Sequence, residues 1–414
     1  MRARRSVAIG TAVCALGLTS VFSSSAVQPT VGAPAVTWGV NTNYRWSTST
    51  DIAAADLPLL GRSGVTAVRE DVLWDVVEPE QGTFDWSRYD ALIAVDARNG
   101  LTVLPLFSGS AEWANKEGRP NRPPDDLTTY VDLVSAYLAR YGPDGTYWAD
   151  NPGVPAHPTD AVEVWNEPWY ARFWGPRGAD TATYALMVRA VADMVHTQFP
   201  TVRVVANGDW KWDHAIGGFW IDQLLTTDPT LVDVVDAFAA HPYPYPFSSA
   251  AANCASTRSE LASIRYRLAL TTRPDIPVWV TELGVLVQLP DGSPTYSGTG
   301  GSDYLRCVLT SPELATWLGN PTRFYLFLYQ RTTLAEDPED SGYDLLTADG
   351  WPTDVLSTYL DLVRSSRLAV VRGTCGLVER TNPPTTAGSP STPQLGRRPS
   401  LRQAVRCSLP GSGG

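Results

Sequence analysis

Two glutamates stand where this chain could do chemistry with them. Glu167 closes the run Val162-Glu163-Val164-Trp165-Asn166-Glu167 and is followed at once by Pro168. Glu282 closes Ile276-Pro277-Val278-Trp279-Val280-Thr281-Glu282 and is followed by Leu283-Gly284. Both runs have the apolar, β-branched composition of a strand, with a turn former close behind the carboxylate. Two carboxylates displayed at strand ends of one sheet are the minimum equipment for breaking a glycosidic bond. One protonates the leaving oxygen; the other attacks the anomeric carbon or activates a water to do so. The two need opposite protonation states near neutral pH, so burial and neighbours must push their pKa values apart. Either glutamate alone reads equally well as a solvated strand-end residue. An Asn-Glu-Pro tripeptide arises by chance in roughly 5% of chains this long, so the pair and its placement carry the reading, not the motif.

Positioning two such groups requires a scaffold that repeats. Eight strand-like runs follow one another: Val36–Val40, Ala67–Glu70, Thr102–Phe107, Ala161–Trp165, Arg203–Ala206, Val234–Ala239, Pro277–Thr281 and Arg323–Tyr329. Helical periodicity alternates with them at Ile52–Gly61, Trp86–Asn99, Leu127–Tyr141, Thr181–Phe199, Phe219–Leu225, Thr257–Thr272, Asp303–Leu318 and Val355–Ser366. Strand–helix alternation predicts a parallel sheet, and eight repeats predict an α/β fold of the closed (β/α)8 TIM barrel type. The rival, an open doubly wound sheet, normally carries a glycine-rich nucleotide loop after its first strand, and no Gly-x-Gly-x-x-Gly stands there. Glu167 and Glu282 lie 115 residues apart. As the ends of strands four and seven they are three units apart, at about 38 residues per unit against roughly 31 in a ~250-residue barrel.

The chain of 414 residues carries a formal charge of −11. Its start is basic (Met1-Arg2-Ala3-Arg4-Arg5), residues 6–22 are mostly apolar and uncharged, and Ser24-Ser25-Ala26 offers a cleavage site. That pattern predicts a signal peptide over residues 1–26, with an uncleaved membrane anchor as the alternative. Without the leader's three arginines, 29 basic residues face 43 acidic ones, a charge of −14 that repels phosphates and argues against nucleic acid. The catalytic domain is expected over residues 36–370, and a Pro/Ser/Thr/Gly-rich flexible tail over 371–414. Cys254, Cys307, Cys375 and Cys407 remain after the leader. An even count in an exported chain predicts two disulfides; of three connectivities we expect Cys254–Cys307 with Cys375–Cys407. No Cys-x-x-Cys or His-x-x-x-His spacing suggests a metal site, and no cofactor is expected.

Fifteen tryptophans and 17 tyrosines pack cores or offer flat platforms to ligands. Those near strand ends, Trp74, Trp113, Trp169, Trp174, Trp210, Trp212 and Tyr245, are candidates to line a cleft, and three or four of them are expected to do so.

From Gly39 to about Val363 the chain resembles the retaining glycoside hydrolases of clan A. The resemblance rests on Trp165-Asn166-Glu167-Pro168, Thr281-Glu282-Leu283-Gly284, Arg69, His241-Pro242-Tyr243, and the segment from Trp74 through Glu78-Pro79-Glu80-Gln81-Gly82 to Trp86. It is most similar to the cellulase-like bacterial branch near families 39 and 5. Carried over position by position, it implies that Glu167 is the acid/base and Glu282 the nucleophile. Asn166 would then hold the sugar 2-hydroxyl, Arg69 would keep Glu282 ionised, Tyr243 would donate to Glu282, and His241 would line the sugar site. Read as residues alone, Arg69 fits a buried structural ion pair, and His241 and Tyr243 fit packing beside a Pro-rich loop. Relatives usually place a Trp at the end of strand eight; here stands Phe327-Leu328-Tyr329-Gln330, with Tyr329 the candidate substitute.

The sequence thus predicts an exported retaining β-glycosidase that hydrolyses a polysaccharide or oligosaccharide. The alternatives are a non-catalytic carbohydrate-binding barrel, and a transglycosylase using the same residues. A glycan is the expected partner, with no nucleic acid, no membrane insertion once the leader is cleaved, and a monomeric state. The expected location is extracellular or at the cell surface.

Overall fold

A computed structural model describes residues 36–42, 50–175, 178, 180–213, 217–244, 249–289, 291, 293–331 and 340–374. Eight parallel strands close into a barrel: β1 (Val36–Thr42), β2 (Ala67–Val72), β3 (Thr102–Phe107), β4 (Ala161–Val164), β5 (Arg203–Asn207), β6 (Ala237–Ala240), β7 (Val278–Gly284) and β8 (Thr322–Tyr329). Each strand pairs with its neighbours in sequence, and β8 pairs with β1 from Val36↔Thr322 onward. The expected (β/α)8 fold is therefore what the chain adopts. The predicted leader, most of the predicted tail, the Cys375–Cys407 pairing and Tyr245 lie outside the described residues. Among the described residues no helix is long and apolar enough to cross a membrane.

The strands read as continuous apolar runs because both of their faces are covered. Inside the barrel, Ala67, Leu104, Ala161, Val205, Ala237, Ala239, Trp279 and Tyr325 form one buried cluster. Small residues on β2, β4 and β6 leave room for the two large rings, the alternation that fills a barrel rather than leaving a pore. Gly39 belongs to the same arrangement: a Cβ there would stand 2.4 Å from the Tyr325 ring. Two residues further along the same inward faces, the apolar filling gives way to Asn41, Arg69, Glu163 and Thr281, all buried. This polar layer sits under the C-terminal rim, where active sites of such barrels lie.

The helices clamp the strand ends. The helix Leu127–Tyr141 is N-capped by Asp126, whose side chain accepts from Thr128 N, and it buries Tyr130, Leu133, Val134, Tyr137, Leu138 and Tyr141 on one face. Tyr130 reaches back to donate to the carbonyl of Phe107 at the end of β3 (2.6 Å). From helix Thr181–Gln198, Tyr184 donates to Val164 O (2.9 Å) and accepts from Asn207 N (2.7 Å), tying β4 to β5.

The helix expected over Thr257–Thr272 is Ala250–Leu268, and that over Val355–Ser366 runs Asp354–Thr374, into the start of the predicted tail; three further elements differ for a local reason. The helix expected over Ile52–Gly61 is two, Thr50–Asp56 and Pro58–Ser63, and that over Asp303–Leu318 is also two, Gly300–Leu309 and Leu314–Leu318. Pro58 and Pro312 stand at the breaks, and neither can donate the N–H that would continue a helix. The strand expected over Val234–Ala239 starts only at Ala237, after a 3-10 turn at Leu231–Asp233. A disulfide joins Cys254 on helix Ala250–Leu268 to Cys307 on helix Gly300–Leu309.

Candidate active site

The chain leaves β4 at Val164 and turns sharply. Trp165 and Glu167 both take positive φ, 60° and 34°, the left-handed region that bulky L-residues avoid. The turn is held from outside. Trp165 N donates to Phe107 O (3.0 Å) and its indole N–H donates to Phe173 O (3.1 Å), while Trp174 packs edge-on against its ring. Strained backbone kept in place by surrounding packing brings Asn166 and Glu167 over the barrel mouth. Glu282 needs no such device, because β7 runs on to Gly284 and presents it directly.

The two carboxylates converge. One oxygen from each of Glu167 and Glu282 and one ring nitrogen of His241 lie within 4.8 Å of one another. Both carboxylates are largely enclosed, with side chains 13% and 11% exposed. Their environments are not alike. Glu282 Oε1 accepts from Arg69 Nη1 (2.7 Å) and Oε2 accepts from the Tyr243 hydroxyl (3.1 Å). Burial and the nearby Glu282 carboxylate hold the Tyr243 phenol well above its ordinary pKa, so it keeps its proton and remains a donor. Among the described residues no guanidinium is bonded to Glu167. Burial pushes its carboxyl upward, with the Glu282 and Asp209 charges adding to the effect, against the opposing hydrogen bond from His241 Nδ1 at 3.1 Å.

Arg69 is the hub beneath. It donates from Nε and Nη2 to the two oxygens of Glu163 (2.7 and 3.0 Å), from Nη1 to Asn41 Oδ1 (2.9 Å), and from Nη2 to Asn166 Oδ1 (3.1 Å). Burial alone would raise the Glu163 pKa, but the adjacent Arg69 charge, with His241, outweighs it and pulls the carboxyl down to about 2. His241 Nε2 lies 3.0 Å from Thr281 Oγ1, which donates in turn to Glu163 Oε1 (3.1 Å). The His241 backbone N–H donates to Asp209 Oδ1 (2.6 Å), and Asp209 Oδ2 accepts from the Trp169 indole (2.9 Å). Burial works against the His241 imidazolium, yet the Glu282 and Asp209 charges raise its pKa well above the ordinary value.

Of the expected site residues, Arg69, Asn166, Glu167, His241, Tyr243 and Glu282 form this one connected network. Trp113, Trp169 and Trp210 are half-buried near the rim. Trp113 donates to Glu78 O (2.9 Å), and Trp210 stacks on Phe219 with ring centroids 4.3 Å apart. Two expectations are corrected. Trp74 is only 1% exposed: its indole N–H is spent on Glu78 Oε2 (2.6 Å) and its ring packs edge-on against Trp113 and Tyr130, so it is a packing residue behind Trp113 with no face open to a ligand. Tyr329 is fully buried and donates to Asp56 O (2.8 Å), away from the site. Between the pairs Val40↔Leu326 and Thr42↔Tyr329, β8 holds one residue more than β1, and that bulge undoes the alternation placing Tyr329 on the face of Tyr325. Half-buried Phe327 instead lies against the rings of Tyr243 and Tyr343. Trp174 is core, and Trp212 is 51% exposed beside Phe219.

Sequence reasoning passed over Glu163, Thr281, Asn41, Asp209 and Phe327. Glu163 had left a signal, since a carboxylate in the middle of a buried strand must be paired. Glu167, His241 and Glu282 are also the one grouping among the described residues with three metal-type donor atoms close together. The Arg69 guanidinium, 2.7 Å from Glu282, opposes a cation there.

No family model matches the chain, and no curated protein matches it in sequence. Solved structures do resemble its fold. The GH5_18 protein of Streptomyces cattleya, solved in complex with GlcNAc, aligns at a TM-score of 0.60 and 17% identity over 81% of this chain and 81% of its own. A family 39 glycoside hydrolase from Bacteroides cellulosilyticus WH2 aligns at 0.54 and 20% identity, over 79% of this chain and 63% of its own. The exo-beta-1,4-mannosidase Op5Man5 from Opitutaceae bacterium strain TAV5 aligns at 0.56 and 16% identity, over 81% and 60%. The chain thus spans under two thirds of the last two. At these identities the likeness establishes the barrel, and it falls on the group that the sequence motifs resemble.

Proposed function

We propose that this chain is a retaining β-glycosidase, with Glu282 as nucleophile and Glu167 as acid/base. The observation that carries the reading is the convergence of the two carboxylates, with oxygens within 4.8 Å of each other. Retaining enzymes hold the pair about 5–5.5 Å apart, and inverting ones about 6.5–9.5 Å apart to admit a water. In the first step Glu282 attacks the anomeric carbon while the bond to the leaving oxygen breaks and Glu167 gives that oxygen its proton. In the second, Glu167 takes a proton from water, which attacks the same carbon and frees Glu282. The asymmetry supports the assignment: Arg69 and Tyr243 both donate to Glu282, one to each oxygen, whereas burial favours the neutral acid at Glu167. Arg69 occupies the carbonyl of Asn166, leaving the amide N–H₂ as a donor for the sugar 2-hydroxyl.

Incubation with 2-deoxy-2-fluoro-β-glycosyl fluorides of glucose, xylose, mannose and galactose tests this. At least one should add a single fluoro-sugar to the intact protein, on the peptide containing Glu282. A label on another residue removes Glu282 from the role. No label from any of the four, with glycans still bound, favours a non-catalytic binding barrel. Product analysis with an added acceptor separates a hydrolase from a transglycosylase. Export belongs to the same proposal, on the basic and then apolar leader; a secreted protein whose N-terminal sequence starts directly after Ala26 is the expected result, and retention of the leader in a membrane fraction is the contrary one.

A further inference from the structure

Below Glu167 a chain of hydrogen bonds descends into the barrel, and each link constrains the next. Glu163 is fully buried and held ionised by Arg69, so its oxygens only accept. Thr281 Oγ1 donates its single proton to Glu163 Oε1 (3.1 Å). The same oxygen can then only accept from His241 Nε2, 3.0 Å away. Nε2 therefore carries hydrogen. The other nitrogen, Nδ1, faces Glu167 Oε1 at 3.1 Å, and that contact is a hydrogen bond only if the Glu167–His241 pair holds one more proton, on Oε1 or on Nδ1.

We propose that Thr281 and Glu163 are positioning residues for the proton of the acid/base: they lock His241 with a hydrogen on Nε2, so that Nδ1 and Glu167 Oε1 share one proton, held on Nδ1 when the ring is charged and on Glu167 when the ring is neutral. The consequence for catalysis rests on the glycosidase reading; the placement of the proton rests on the hydrogen-bond chain alone. The other charged groups facing His241 are Glu163 and Glu282, each 3.8 Å from a ring nitrogen, and Asp209, bonded to its backbone N–H. Arg69 lies behind Glu163 and Glu282. Further out, Glu260 is paired with Lys211 at 2.7 Å. None of these competes for the Nε2 hydrogen at bonding distance among the described contacts.

Thr281→Val keeps the shape and removes the acceptor. The neutral ring then regains the tautomer with hydrogen on Nδ1, which donates to the Glu167 carboxylate and stabilises it. Glu167 should lose its proton at lower pH, moving the basic limb of kcat/KM down by about one pH unit. Thr281→Ser, which restores a hydroxyl, should restore the limb. The chain has four histidines, so ¹⁵N-histidine labelling of the full chain gives few ring signals, and that of His241 is assigned by its loss in His241→Gln. In the wild type Nε2 should stay protonated while only Nδ1 titrates, above the ordinary imidazole range. In Thr281→Val the hydrogen of the neutral ring should appear on Nδ1. A wild-type Nε2 without hydrogen overturns the proposal even if the variant fails to fold, as does a His241 titration unmoved in a folded Thr281→Val. The kinetic arm uses whichever 4-nitrophenyl β-glycoside (glucoside, xyloside, mannoside or galactoside) the wild type turns over. A changed tautomer with an unmoved basic limb overturns the positioning role. Absence of turnover on all four counts against the glycosidase reading, while the nitrogen signals still decide the proton's place.

Discussion

Glu282→Ala is expected to lose turnover of aryl β-glycosides on the order of 10⁴-fold or more, and to regain part of it in sodium azide with an α-glycosyl azide as product. The side chain supplies the bond-forming atom, and in the proposed mechanism nothing else within reach of the anomeric carbon replaces it. Azide enters the space left by the carboxylate and attacks from the same face in one displacement, inverting the anomer. Glu167→Ala should behave differently. With a 2,4-dinitrophenyl leaving group, which needs no proton, the covalent intermediate should still form; with poorer leaving groups the rate should fall about 10²–10⁴-fold, the usual worth of a general acid. Azide should then intercept the intermediate and give the β-glycosyl azide. The opposite anomers are the decisive readout, because a merely destabilised protein produces neither. The same anomer from both variants, or the reverse pairing, overturns the assignment. Thermal melts guard against misreading, since Glu282→Ala also leaves Arg69 and Tyr243 each short of one acceptor.

The barrel and the pair of converging carboxylates were legible in the sequence because their signals are local. A parallel strand covered on both faces is an apolar run, a turn residue marks its end, and a carboxylate at that end stands out. What joins the pair into one site was not legible, because it is long-range. Arg69 and Glu163 are 94 residues apart, and Arg69 and Glu282 are 213 apart. Only closure of the sheet makes them neighbours. The aromatic assignments fell short for another reason. Trp74 opens a one-turn helix, Trp74–Val77, too short for periodicity to say which side faces the cleft. Tyr329 was expected at the site from the resemblance, as the substitute for a strand-eight Trp, and a single bulge in β8 is enough to break the alternation that would have put it on the inward face. Glu163 could have been found: it shares the inward parity of Ala161, and a charge there demands a partner of opposite sign.

Arg69 decides how far structure and function can be separated in this site. Arg69→Met is expected to destabilise the fold by about 3–5 kcal/mol, because it strands Glu163 as an uncompensated buried charge. The pH dependence should change sign with it. In the wild type the Glu163 carboxyl is held at about 2 in the fold, against an ordinary 4.5. A group depressed in this way stabilises the fold fully above the unfolded value, and that contribution, about 3 kcal/mol, drains away as pH falls from about 4.5 to about 2. Without Arg69, burial dominates and the Glu163 pKa rises above its unfolded value, so the variant should gain stability as pH falls from neutrality towards about 4.5. Urea unfolding at a series of pH values shows both slopes. Adding Glu163→Gln removes the stranded charge, and the double variant should recover most of the stability of Arg69→Met while its own acid-side slope flattens. It should not recover activity. Glu282 Oε1 and Asn166 Oδ1 would still lack the donors that Arg69 gives them at 2.7 and 3.1 Å, and misplacement of either group costs roughly 10²-fold or more in kcat/KM. A double variant that is both stable and fully active would make Arg69 a structural ion pair and no more, and would leave Tyr243 as the only group among those described that bonds directly to Glu282 and distinguishes it from Glu167.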